Sequence, residues 1–329
     1  MLTPPSRSKT DIQMLSRRIL RIKAFKQLYA CTITSQWDTS VALESLDLSC
    51  EATRDLYLQM LGMVAPLCAE ALRRLTLLSQ KRTATPQEAN PNMKFALCPL
   101  SSFFQDDPDF SKLFKKKALS WDGADILMRD LYTQVSSRDY FKQYMASPGN
   151  SLAEDCDLFT RIYEEELSDC DLLRDTLEEK SIYWLEDLEY ALDWCCRSFQ
   201  DIARTARWNY PELYMSDMVR RRRPLSDMQS DSDFVHRLLR TAISGYGRYF
   251  AKVSSLTPDW ESERLFSTDT VIIALCLAER EAFPDIPDRV SLNEWVEISK
   301  FYCTPKSRVF INGLLDRIIK EDGKRRGEE

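Results

Sequence analysis

The chain has 329 residues, a net charge of −6 and a sequence pI near 5.2. It is long enough for one large or two ordinary domains, and it carries no global basic signal for nucleic acid. One histidine, His236, excludes histidine-based metal sites, and eight glycines scarcely permit a phosphate-cradling loop, so no cofactor and no enzymatic activity are expected.

Residues 1–14 read as a disordered tail without a signal-peptide core, and Met14 is an alternative start. Leu15 to Ile33 has helical spacing. Leu20, Ala24, Leu28 and Cys31 form an apolar stripe, and Arg17, Arg18, Arg21, Lys23 and Lys26 occupy the remainder. Residues 1–35 hold seven Lys or Arg against Asp11 alone. Such a cluster can neutralise phosphates on an acidic protein, or it can be a solvated face.

Val41 to Gln80 predicts two helices, with a kink or break near Pro66. Thr83 to Pro91 reads as a loop, and Phe95 to Lys117 as short helical pieces that end in Lys115-Lys116-Lys117. That lysine run answers a helix dipole or makes an auxiliary RNA contact. Trp121 to Met145 is helical with a break near Ser136-Ser137, and Ser147-Pro148-Gly149-Asn150 is a turn. From Ser151 to Ile202, sixteen acids face four bases, which places this helical block away from RNA. Arg220 to Arg223 sits in a polar stretch that reads as an exposed loop. Ser232 to Val253 is a long helix, with a faint echo of Arg54 to Leu75.

Three helices close the chain. Val271 to Ala278 is apolar nearly all round, so the first is central and buried, capped by Thr268 or Asp269. Ser291 to Glu294 has the spacing of a capping box. Thr304-Pro305 breaks that second helix. The third carries Phe310, Ile311, Leu314, Leu315, Ile318 and Ile319, with Gly313 in its middle. A mid-helix glycine marks either tight packing within the bundle or a contact surface for a partner. The ten cysteines are scattered without a CxxC and read as buried, reduced thiols. No apolar run approaches the ~20 residues of a membrane span, so no membrane association and a cytoplasmic location are expected.

Val290-Ser291-Leu292-Asn293-Glu294, then Pro305-Lys306-Ser307, then Phe310-Ile311-Asn312-Gly313-Leu314-Leu315-Asp316 resembles the closing signature of the NusB transcription antitermination family. Ser232 to Ile319 with Leu15 to Tyr29 resembles the compact family core, and residues 36–231 resemble only the family's longer form. The resemblance implies an all-α helical bundle, a NusB-like core with additional helices. The expected organisation is a tail at 1–14, an N-terminal helical region at 15–224, a NusB-like domain at 225–322 and a tail at 323–329. It implies an RNA-binding antitermination factor that binds boxA-like RNA together with the ribosomal protein NusE. In that role it would act within the transcription elongation complex, helping polymerase read through terminators in ribosomal RNA operons. A homodimer is left open. The family's arginine-rich first helix makes Arg17, Arg18, Arg21, Lys23 and Lys26 the expected RNA-binding set, although Ile19 and Leu20 interrupt the arginine run. Lys306, Arg308 and Phe310 are the expected partner-binding set, with Phe310 read equally as core. The alternatives are a helical protein adaptor whose basic helix meets an acidic partner, and an RNA-methyltransferase accessory component. The missing glycine loop argues against the latter.

Overall fold

The computed structural model describes residues 17–211, 214, 231–257 and 267–326. The N-terminal tail, Met14, residues 327–329 and Arg220 to Arg223 lie outside them, whereas residues 323–326, read as part of the C-terminal tail, continue the last helix. Every regular element among the described residues is helical. The protein is all-α, and none of these helices is long and apolar enough to cross a membrane. The chain divides into two compact units, one from the described parts of Met1–Cys50 and Glu212–Glu329, the other Glu51–Pro211. The basic first helix thus groups with the C-terminal helices, although nearly two hundred residues separate them in sequence.

The discontinuous unit contains α1 (Arg17–Thr34), the first half of α2 (Thr39–Leu61), α12 (Asp231–Leu256), α13 (Ser267–Ala282), α14 (Asp288–Tyr302) and α15 (Pro305–Arg326). Helix α13 is its axis. Val271 to Ala278 are all buried, and α1, α12, α14 and α15 pack around them. A helix without a polar face must be covered on every side, which fixes its central place. Phe283-Pro284 and Ile286-Pro287 end it, as expected from proline's missing donor.

The second unit holds the rest of α2, α3 (Val64–Ser79), α4 (Pro86–Ala89), α5 (Pro99–Asp106), α6 (Pro108–Lys116), α7 (Asp125–Ser137), α8 (Asp139–Ala146), α9 (Leu152–Ile162), α10 (Asp171–Lys180) and α11 (Leu188–Thr205). The α2–α3 break falls at Gly62-Met63. Pro66 lies in the first turn of α3, where its missing N–H costs no ladder bond. The stretch read as a loop contains a turn of helix, because Thr85 and Glu88 form a reciprocal capping box at Pro86. Asp107 caps α6 through the amides of Asp109 and Phe110, and Lys115 and Lys116 lie in its last turn. Lys117 pairs with Asp55 at 3.0 Å. The echo between Arg54 to Leu75 and α12 does not extend to geometry, since the first is broken and the second continuous.

An aromatic cluster centres this unit. Phe95 has ring neighbours Tyr132, Phe141, Tyr144 and Phe159 at 5.1 to 6.5 Å. After α9 the helix widens into a π turn, Tyr163–Leu167, which carries Glu166 with its carboxylate fully buried. Arg138 donates to Glu166 twice at 2.7 Å, Tyr140 donates at 3.0 Å and Gln134 also donates. Three of the sixteen acids, Asp155, Glu166 and Asp187, are buried and hydrogen-bonded inside the unit. Replacing Phe95 with alanine is expected to cost about 3–5 kcal/mol through the cavity it leaves, measured by urea denaturation; a loss below about 1 kcal/mol would show that the cluster is not the core of this unit.

Candidate nucleic-acid interface

The basic helix α1 is divided by burial. Arg21 and Lys23 are each only 4 % exposed. Arg21 donates from Nε to Oε2 of Glu279 at 2.7 Å and from its terminal nitrogen to Oε1 at 2.8 Å. Ser291 Oγ donates to Oε1 of the same carboxylate at 2.7 Å, and the Trp295 indole donates to Oε2 at 3.0 Å. The buried charge is paired and both oxygens are fully used, the condition under which such a group is tolerated. Lys23 Nζ donates to the Ser49 carbonyl at 2.8 Å. These two of the five expected RNA contacts are therefore corrected: both cations face inward, where they hold α1 in place. A helix that packs on several sides turns some of its polar residues into the bundle, and only a waiting carboxylate or carbonyl makes that tolerable.

Arg17, Arg18 and Lys26 occupy the outer side. Arg17 is exposed, with its guanidinium 4.5 Å from the Phe234 ring centre. Arg18 is half exposed and forks onto Glu294 at 3.0 and 3.1 Å. That hydrogen bond holds the Glu294 carboxyl below the ordinary carboxylate range and raises the Arg18 guanidinium. Lys26 is half-buried. No acid lies in the first turn of α1, so Arg17 and Arg18 stand at the positive end of its dipole. Glu279 and Glu294, brought by other helices, offset that arrangement.

The signature residues take different roles from those their spacing implied. Helix α14 starts at Asp288, and Pro287 precedes it without a side-chain cap. Ser291 and Glu294 form no capping box: the hydroxyl goes to Glu279 and the carboxylate to Arg18. Gly313 is exposed, and a Cβ there would meet nothing within 4 Å among the described residues, so it marks no tight packing against them. Of the expected partner set, Lys306 is exposed. Arg308 is half-buried and donates to the Cys303 carbonyl at 3.3 Å, and Phe310 is half-buried. The open apolar side chains are neighbours that sequence reasoning passed over: Val309 is 76 % exposed and Phe301 77 %. Lys306, Val309 and Gly313 recur at helical spacing and share one face of α15. An apolar residue beside a charge on an exposed helical face was the signal that could have found Val309.

His236 is half-buried, with Nε2 2.7 Å from Asp47 Oδ1, which also accepts from Tyr214 at 2.6 Å. Among the described residues no group of three His, Cys, Asp or Glu side chains is placed to hold a metal.

The NusB family model matches residues 189–320. A transcription antitermination protein NusB of Methylacidiphilum infernorum is 35% identical over 97 residues, 30% of this chain and 68% of that protein. The chain belongs to the NusB family. Proteins of the same name from Clostridium botulinum and Clostridium kluyveri are 37% identical over 89 residues and 35% over 92. The match covers 62% and 59% of their lengths, and 27% and 28% of this chain. No solved structure gives a significant match. Helix α1 lies outside the matched span, yet two of its arginines are held by Glu279 and Glu294 inside it.

Replacing Arg21 with alanine leaves the Glu279 charge buried without its cation. The expected loss is about 3–5 kcal/mol, read by urea denaturation. Arg21→Lys should recover only part of it, because an ammonium cannot fork. A loss below about 1 kcal/mol for the alanine variant would remove Glu279 as the anchor of α1.

Proposed function

We propose that this protein is an RNA-binding transcription antitermination factor. In this reading it binds boxA-type RNA with the ribosomal protein NusE and helps RNA polymerase read through terminators in ribosomal RNA operons. The support is family membership together with one structural observation. Helix α1 is fixed to α13 by Arg21 and Glu279, which also holds Ser291 and Trp295 of α14, and Arg17 and Arg18 are left on the outer side of α1. The relatives carry the name of a transcription antitermination protein rather than of a catalyst.

The phosphate-binding set is Arg17, Arg18 and Lys26, with Arg21 and Lys23 as positioning residues. Three phosphates on single-stranded RNA give a slope of log affinity against log salt of about −2, from roughly −0.7 per contact. Electrophoretic mobility shift with boxA RNA, with and without NusE and at several salt concentrations, measures it. Joint replacement of Arg17 and Arg18 by alanine should weaken all RNA sequences alike and flatten the slope by about 1.4. Glu294→Gln frees Arg18 and removes a negative charge, so it should tighten binding. A double variant with parental affinity and slope would place the RNA site elsewhere.

The face for NusE is assigned to Lys306, Arg308 and Phe310, extended by Val309 and Gly313. A largely exposed apolar side chain beside a cation, on a helix face open at a glycine, is the mixture of an interface rim and core. Val309→Glu should weaken NusE binding about tenfold or more by calorimetry, with circular dichroism unchanged. Unaltered affinity would remove this face.

A further inference from the structure

A cleft of about 860 Å³ lies within the Glu51–Pro211 unit, outside every residue assigned above. Its floor is a run of small residues on one side of α3 and the turn before it: Gly62, Ala65, Pro66 and Ala69. Short side chains there leave a trough. One wall is Phe110 and Phe114 of α6; the other is Trp121 and Met128, the latter on α7. The ring centres of Phe104 and Phe110 lie 5.0 Å apart, and those of Phe110 and Phe114 5.5 Å apart, so this wall is a packed and preformed aromatic surface. It rests on Gly62, where a Cβ would come within 2.4 Å of the Phe114 ring.

Charge is distributed unevenly around the rim. Lys115 on one wall and Arg129 on the other make no ion pair among the described residues. Glu70 is forked by Arg73 at 2.7 and 2.8 Å and also receives Arg74 at 2.6 Å, so two cations answer one acid. Asp125 stands in the first turn of α7, where the helix dipole answers it. Asp122 alone remains against Lys115 and Arg129. Behind the wall, the Gln59 side-chain amide donates to the Ser120 carbonyl, and its buried oxygen has no donor among the described residues.

We propose that this cleft binds a small organic anion with an apolar, ring-bearing body. The volume lies within the range of small-molecule sites, a few hundred to about 1,000 Å³. The rings and Met128 hold the body, and Lys115 and Arg129 face the anionic group. The site uses none of the phosphate-binding set Arg17, Arg18 and Lys26.

The test uses two fluorescent probes on the full chain: anilinonaphthalene sulfonate, a ring-bearing anion, and N-phenylnaphthylamine, its neutral counterpart. Saturable binding of both, one per chain, is expected. Ala69→Trp fills the trough from an exposed position and should weaken both about tenfold or more. Ala65→Leu fills the same floor and serves where the tryptophan disturbs folding. Replacing Lys115 and Arg129 together with alanine should weaken the sulfonate several-fold and leave the neutral probe unchanged. Absence of saturable binding, or parental affinity in the folded floor variants, overturns the site. Equal loss of both probes, or of neither, in the double alanine variant overturns the assignment of an anion.

Discussion

The Glu279 carboxylate is what the family bundle depends on. It is fully buried on the helix whose central run, Val271 to Ala278, is entirely apolar, and four donors from α1 and α14 converge on it. A buried ion pair is poor evidence for stability, because an apolar replacement of similar shape often does as well. Its value here is register. Arg21 cannot slide one turn along α13 without leaving a charge unpaired in the core. Ser291 and Trp295 can reach the same two oxygens only if α14 holds its own rotation. One carboxylate therefore sets three helices, and with them the direction in which Arg17 and Arg18 face.

That register sorts the basic helix into two kinds of cation. Those facing inward have fixed partners with full hydrogen bonding. Of those facing outward, Arg17 and Arg18 sit at the positive end of their own helix dipole, where a cation is least favoured and an incoming phosphate most favoured. Glu294 lies between the two groups. It is partly exposed and forked by Arg18, and it also lies 3.7 Å from Arg21. A phosphate approaching Arg18 competes with this carboxylate, so Glu294 sets how much of the Arg18 charge is available.

The helices were legible in the sequence because apolar spacing and proline punctuation are local properties. The buried run Val271 to Ala278 and the breaks at Ser136-Ser137 and Thr304-Pro305 are where they were expected. Burial of individual cations was not legible. Arg18 and Arg21 both lie on one amphipathic helix, and what separates them is which meets Glu279 rather than Glu294, a contact spanning 258 residues. The capping-box reading of Ser291 and Glu294 failed for the same reason: distant partners outbid the local bond. Gly313 was ambiguous by nature, since a missing side chain is equally compatible with a neighbour and with open space.

The same distance raises the question of how α1 finds α13 across so long an intervening chain. Closing a flexible loop costs only ~0.6 kcal/mol per doubling of its length, but the search is slow when contacts are remote in sequence. The Glu51–Pro211 unit offers a physical answer. It has its own aromatic core and its own buried carboxylate forked by an arginine, Glu166 with Arg138. Its two ends lie side by side: Arg54 donates to the Tyr210 hydroxyl at 2.9 Å and lies over the same ring at 5.1 Å. A segment that folds on its own core and brings its ends together acts, for the rest of the chain, as a short connection. The family helices then face a closure problem far smaller than 258 residues implies.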